Sequence, residues 1–413
     1  MHAEIIAVGS ELLTPQRADT NSLFLTERLN RRGIEVVRKV IVGDDEDLIA
    51  NEISRSLAAS EIVILSGGLG PTLDDLTRQA VAKALNLGIS RDPEIVEWIA
   101  SRFRSFGREM AANNKRQADV LDGAEVLANP NGTAPGQWIE ADGKIVMMLP
   151  GPPREIKAMF MNECEPRLDR IPSEWAYSTV TLRISGMGES DVDSLVGPIY
   201  TEETRVATTI LSAPGDISLH FRGRAKVENE ALALAQALAE KAAEALGDVV
   251  YSWQNESLEA AVGRMLREQD LTLAVAESCT GGLVAEKITS VPGSSNYFAG
   301  ALITYSEDAK ADWLGVQPET IKREGAVSEA TAAEMAERAR ELAGGVGKGI
   351  GLSTTGVAGP GGGTEQTPVG TIFFGIAGRN GTSVKRRDLG GNRDRNRRFS
   401  AQIALELLRR ELM

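Results

Sequence analysis

The chain has 413 residues, 42% hydrophobic and 25% charged, a globular composition too long for one ordinary core, so two or three domains are expected. Its formal net charge of −13 argues against a nucleic-acid binder that works through a general positive field, and two cysteines exclude a disulfide framework and fit a reducing compartment. Met1 leads straight into strand-like residues without a basic leader, and no apolar run approaches membrane-spanning length, so a cytoplasmic protein without a membrane partner is expected.

Residues 1–165 alternate short apolar runs with amphipathic stretches. The runs are IIAV (5–8), VVRKVIV (36–42), IVILSGG (62–68) and IVMMLPG (145–151). Between them lie TNSLFLTERLNRRG, ending on a glycine cap at Gly33, and PTLDDLTRQAVAKALN. This βαβα rhythm predicts a mainly parallel sheet covered by helices. In such folds ligands gather at the carboxyl ends of the strands.

Three loops fall there. Ser66–Asp75 follows a strand, and Gly67, Gly68 and Gly70 let backbone approach a ligand, while a helix start at Pro71 would offer amides to an anion. Thr72 and Asp75 are spaced as a helix-capping pair, and Asp74 with Asp75 also forms a carboxylate pair able to hold a divalent metal. The stretch is neither a Walker A loop nor GxGxxG. Glu11 and then Asp19-Thr20-Asn21 follow the first strand, and Pro150-Gly151 follows a later one. Asp19 reads as a helix cap, whereas Glu11 is less easily dismissed.

RIPSEWAYS (170–178) reads as an exit linker. TVTLRISG (179–186), ISLHFRGRA (217–225), an Ala-rich helix over about 228–246 and DVVYS then predict a small α+β module, with Trp253–Glu256 as a second linker. The Gly186-Met187-Gly188-Glu189 turn faintly resembles the GxxG loop of KH domains but lacks a basic surround, so nucleic acid is not expected there. His220 reads as a half-buried strand residue.

From 257 the α/β rhythm returns: a helix (257–269), the strand LTLAVAES, a helix from Thr280, the strand YFAGALITY, a helix from about 307, a Ser328-capped helix, the strands GIGLSTTG, VGTIFFGIAG and SVKRRDL, and a last helix from about 393. The stretch AESCTGG (276–282) places Ser278 and Cys279 at a strand end, where amides of Thr280, Gly281 and Gly282 could face an oxyanion or phosphate. Residues 257–413 hold no histidine, so a Ser-His-Asp or Cys-His arrangement within them is excluded. Tyr305 ends the next strand and Lys310 lies five residues on; a buried neutral lysine, with a tyrosine relaying the proton, is the set that remains. Cys279 is the rival, since a thiol at a helix start needs less help. Strand alternation points the two to opposite faces, and Ser278 shares the small-residue face of Ala274 and Ala276, which favours serine.

Two more stretches feed this pocket. Ser353–Pro360, with Thr355, Gly356, Ala358 and Gly359, continues into three more glycines and reads as a backbone-lined wall or a flexible connector. Arg393 and Arg397 share a face of the first turns of the last helix, where cations oppose the dipole; an anion held there explains the placement, while Arg395 and Arg398 read as solvated.

These strings together resemble the bacterial competence/damage-inducible CinA family over the whole chain. GGLGPTLDD, NPNGTAPG (129–136) and LPGPPRE (149–155) are similar to its N-terminal domain, which has the MoaB/MogA-like three-layer α/β fold. AESCTGGL, YFAGALITYSEDAK, GAVSE, TTGVAGPGGG and TPVGT resemble its C-terminal α/β deamidase domain, and the middle module corresponds to its KH-like insertion. The resemblance implies domains over 1–170, 171–252 and 256–413. It implies hydrolysis of nicotinamide mononucleotide (NMN) to nicotinate mononucleotide and ammonia, with Ser278 as nucleophile and Tyr305 and Lys310 as activators, and no cofactor. For the N-terminal domain it implies an ADP-ribose pyrophosphatase using a divalent metal (Mg²⁺ or Co²⁺), or else a non-catalytic nucleotide- or pterin-binding scaffold. It also implies a homodimer. Pro15 and Thr367 depart from the family's usual glycine and lysine.

Overall fold

The computed structural model describes residues 1–171 and 174–413; the expected linker 170–178 includes Pro172 and Ser173, which lie outside the described residues. The chain divides into two compact units, residues 1–178 with 224–231, and residues 179–223 with 232–413. Among the described residues no helix is long and apolar enough to cross a membrane.

The first unit runs β1 (His2–Val8), α1 (Asn21–Arg31), β2 (Glu35–Val42), α2 (Glu46–Ala59), β3 (Ile62–Ser66), α3 (Thr77–Leu85), β4 (Ile89–Arg91), α4 (Pro93–Ser105), β5 (Asp119–Leu121), β6 (Glu125–Leu127), β7 (Gly136–Ala141), β8 (Lys144–Leu149), α5 (Pro153–Met159) and α6 (Glu165–Leu168). Its main sheet has the order β2-β1-β3-β8-β7-β6. The first four strands are parallel and the last two antiparallel. Along β3, Ile62 and Ile64 pack with Leu25 and Leu29 of α1, whereas Val63 and Leu65 pack with Ile49 and Ile53 of α2. Both faces are covered, which is why these strands read as unbroken apolar runs.

The expected helix start at Pro71 is corrected: α3 begins at Thr77. The Asp75 carboxylate accepts from the amides of Gly70 and Thr72, both at 2.8 Å, and closes residues 70–75 into a turn before the helix can begin.

The middle of the chain, mostly in the second unit, runs β9 (Ala176–Ile184), α7 (Glu189–Thr201), β10 (Val206–Ala213), β11 (Asp216–Ala225), α8 (Glu228–Leu246) and β12 (Val250–Ser252). These strands form a sheet, β10-β11-β9-β12, with β10/β11 and β9/β12 antiparallel, in which Leu182, Leu219 and Phe221 pack with Val192, Ala235 and Ala239 of the helices. The sequence reading missed α7 and β10. Pro198 inside α7 disguises its helical period, and β10 is too exposed along most of its length to show an apolar run.

The rest comprises α9 (Leu258–Glu268), β13 (Thr272–Glu277), α10 (Leu283–Thr289), β14 (Phe298–Ile303), α11 (Glu307–Asp312), α12 (Pro318–Glu324), α13 (Glu329–Leu342), β15 (Gly349–Gly356), β16 (Thr371–Gly378), β17 (Gly381–Asp388) and α14 (Arg393–Glu411). The sheet order is β14-β13-β15-β16-β17; β14, β13 and β15 are parallel, and β16 and β17 join antiparallel. Val262 of α9 and Leu405 of α14 pack with one face, and Met335 and Ala339 of α13 with the other. Strand β13 therefore ends, at Glu277, on a rim flanked by β14 and β15.

Candidate functional site

Alternation along β13 sorts its side chains. Leu273, Val275 and, beyond the strand, Cys279 pack on the α9/α14 side, and Ala274 and Ala276 on the α13 side. Ser278 meets Lys310, whose Nζ donates to Ser278 Oγ at 3.0 Å and to the Thr304 carbonyl at 2.9 Å. Ser306 positions that lysine: its hydroxyl caps α11 by accepting from the Ala309 amide at 3.1 Å, and Lys310 follows in the next position. Lys310 is 2% exposed and Ser278 7%. Both acceptors of the ammonium are neutral oxygens, and burial holds Lys310 below the ordinary lysine range against weaker opposing pulls from Cys279 and Glu307. Burial pushes the Cys279 thiol up to about 12, the reverse of what a reactive thiolate needs.

The expected helix from Thr280 is corrected: α10 starts at Leu283, after Gly281 and Gly282 at φ +60° and +95°. The cause is Glu277, fully buried, which the sequence reading passed over. Its carboxylate accepts from the amides of Gly282 (2.8 Å), Val284 (3.2 Å) and Ala285 (2.8 Å) and so occupies the helix N-terminus. The Gly281 amide donates to the Ser278 carbonyl at 3.1 Å. The expectation that the Gly281 and Gly282 amides face a ligand is therefore also corrected; both are spent within the turn. The Thr280 hydroxyl is spent as well, in a 2.7 Å hydrogen bond with Thr354.

Tyr305 is 58% exposed, and its oxygen accepts from Arg393 Nη2 at 2.5 Å. Arg393 Nη1 donates to the Gly359 carbonyl at 2.7 Å, and Arg397 Nη2 to the Thr280 carbonyl at 2.9 Å. The structure thus brings Arg393, Arg397, Tyr305, Gly359 and the Ser278 turn together. Two candidates of the wall turn inward: Thr355 is buried with its hydroxyl on the Ala326 carbonyl (2.7 Å), and the Ala358 carbonyl accepts from buried Asn396 (3.1 Å). Gly356 ends β15.

In the first unit the three expected loops line one cavity of about 690 Å³. Asn21 ties them, its amide donating to Ser66 Oγ at 3.0 Å and to the Gly151 carbonyl at 2.7 Å. Gly67 has φ +110°, and a Cβ there would run into the Val8 carbonyl. Gly68, Gly70, Thr72 and Pro150 line the cavity too, as do Glu11, Asp19, Asp74 and Asp75. So do Asp44 and Glu155, which the sequence reading missed; Arg17 is the single cationic side chain among the described lining residues. The metal set Asp74, Asp75 and Glu11 is corrected. Asp75 is committed to the 70–75 turn, and among the described residues no three acidic, histidine or cysteine side chains converge to hold a metal. Asp74 and Glu11 are compatible with a cation whose remaining oxygens come from a ligand's phosphates.

Residues 4–170 match a family described as a probable molybdopterin binding domain, residues 179–252 the damage-inducible protein CinA KH domain, and residues 255–412 the CinA C-terminal domain. A CinA-like protein of Solibacter usitatus is 49% identical over all of this chain and 98% of its own length, and one of Koribacter versatilis 48% over all of both. Among solved structures, CinA from Thermoplasma acidophilum aligns over 41% of this chain and 99% of its own, with 32% identity and a TM-score of 0.38.

Proposed function

Since the chain belongs to the CinA family, with a MoaB/MogA-like, a KH and a C-terminal CinA domain, we propose that its C-terminal domain is an amidohydrolase acting on the carboxamide of NMN. The observation that carries this reading is the 3.0 Å contact between Ser278 Oγ and a buried Lys310 whose proton affinity is depressed. A neutral lysine amine takes the Ser278 proton as Oγ attacks the carboxamide carbon. The tetrahedral adduct collapses, Lys310 returns the proton to the departing nitrogen, and ammonia leaves an acyl-serine. Water, deprotonated by the same amine, then cleaves the ester to give nicotinate mononucleotide and free Ser278. Arg393 and Arg397 supply donors for the 5′-phosphate, and Tyr305, bonded to Arg393, borders the same space. The test is ammonia release from NMN. Ser278→Ala should lose at least about 10³-fold in kcat and Cys279→Ala stay within a few fold; a dead Cys279→Ala with active Ser278→Ala would overturn the assignment.

For the N-terminal domain we infer that the 690 Å³ cavity takes ADP-ribose with a divalent cation and hydrolyses it to AMP and ribose 5-phosphate. Six carboxylates around one arginine favour a pyrophosphate only when a cation accompanies it. AMP formation with Mg²⁺ or Co²⁺ tests this. Binding without AMP under either metal would make the domain a nucleotide- or pterin-binding scaffold instead.

A further inference from the structure

A second cavity, of about 740 Å³, lies within the C-terminal unit where two turns of the middle module approach α14 and β17. It falls in the roughly 300–1,000 Å³ range of small-molecule sites. The turns come close: a Cβ on Gly186 would meet Arg410 at 2.7 Å, and one on Gly215 would meet the Phe399 ring at 2.9 Å. Gly186–Glu189 is the turn singled out in the sequence, so that motif faces this cavity rather than open solvent.

The lining has an unusual charge. In a chain of net −13, Lys385 and Arg387 on β17 and Arg395 on α14 all converge here. Lys385 and Arg387, two apart on a strand, share one face. Arg387 donates to the Arg386 carbonyl (3.0 Å) and Arg395 to the Gly390 carbonyl (3.3 Å). No carboxylate pairs with any of the three among the described residues. Of the two acidic lining residues, Glu406 is already shared by Arg409 and Arg410, each at 2.8 Å, and Glu189 sits in the first turn of α7, where the helix dipole favours it. The other walls are apolar, with Phe399 and Ile403 one helical turn apart on α14 and Met187 and Ile217 across from them. Arg395, Phe399 and Ile403 form a stripe on α14 distinct from Arg393 and Arg397.

We propose that this cavity binds a small anion with an aromatic body, of the nucleotide class. Its phosphates lie against Lys385, Arg387 and Arg395, and its ring against Phe399 and Met187. Three unpaired cations gain charge-assisted hydrogen bonds from such a ligand, and the apolar wall takes up the ring. A nucleic-acid strand fits less well, because the Gly186–Glu189 turn brings a carboxylate and no cation. The proposal does not depend on the amidase reading.

Hydrogen exchange on the full chain, with and without millimolar ADP, tests it, since the readout is local and separates this cavity from any other nucleotide site. ADP should slow exchange in segments 185–189, 212–217 and 385–389. The double variant Lys385→Glu/Arg387→Glu, both positions exposed, should melt like wild type and bind ADP at this cavity on the order of tenfold more weakly or worse. Phe399→Ala should weaken it as well. No protection by ADP, or equal protection in the charge-reversed variant, overturns the proposal. So does protection that follows protein concentration rather than ADP, which would assign the cavity to a second copy. Protection by a single-stranded oligonucleotide but not by ADP would also overturn it.

Discussion

The guanidinium of Arg393 grips the phenol oxygen of Tyr305 at 2.5 Å, joining the start of α14 to the loop after β14. The phenol is thus held by Arg393, proposed above to face the phosphate, while among the described residues the Ser278 hydroxyl is bonded by Lys310. Tyr305→Phe should therefore raise KM for NMN, about tenfold, more than it lowers kcat. Steady-state kinetics decides this; a loss confined to kcat would assign the phenol to proton transfer instead.

Lys310 must be neutral to act as a base, and burial lowers its proton affinity. kcat/KM should rise with pH through a single ionisation below the ordinary lysine value of about 10.4. Lys310→Arg, which keeps its charge at any working pH, should lose that rise together with most of the activity. A wild-type profile flat from neutrality upward would count against a lysine base.

The same burial has a stability sign. The folded-state affinity of Lys310 lies below the unfolded one, so between the two values the unfolded chain binds more protons and stability rises with pH. Below that window the cost of burying the ammonium is fully present, and it is lost as pH rises through it. Lys310→Met should be more stable there by about 1–3 kcal/mol in chemical denaturation, with the advantage shrinking as pH rises. A variant less stable than wild type below the window would show that the bonds to Ser278 and Thr304 outweigh desolvation.

Glu277 accepts three backbone hydrogen bonds while fully buried. Glu277→Gln offers one acceptor oxygen and turns an NH₂ toward donors. It should cost about 2–3 kcal/mol in thermal or urea unfolding and lower amidase activity as well, since Ser278 is its chain neighbour. Full stability in this variant would mean that the amides find other acceptors.

In the first unit, Asp75 and Asp74 should separate. Asp75→Ala frees the Gly70 and Thr72 amides and should cost about 1 kcal/mol in stability together with ligand binding. Asp74→Asn, at an exposed position, should leave melting unchanged and weaken only metal-dependent binding of ADP-ribose.

Much of this was legible in the residues. The apolar runs of β1, β3 and β8, the Ser328 cap and most of the elements after residue 257 follow from period and capping chemistry, although the short α12 was not foreseen. The absence of histidine and the small face of Ala274 and Ala276 brought Lys310 and Ser278 forward as a pair, and the fold puts them 3.0 Å apart. The chain could not show what its carboxylates grasp. Glu277 reaches amides five to eight residues ahead and Asp75 reaches back five, and in both places a glycine turn replaced the expected start of a helix. The partner of Tyr305 lies 88 residues away, a separation that only the fold closes. Arg395, read as solvated, lines a cavity because the middle module packs against α14, and no local pattern encodes that.

α14 carries Arg393 and Arg397 beside the Ser278 turn, and Arg395 and Phe399 beside the second cavity. One continuous helix thus borders both places, and ligands that each favour a different position of it would be linked. Such a coupling acts by the same factor in both directions. Titrating either compound in the presence of the other would read that factor directly.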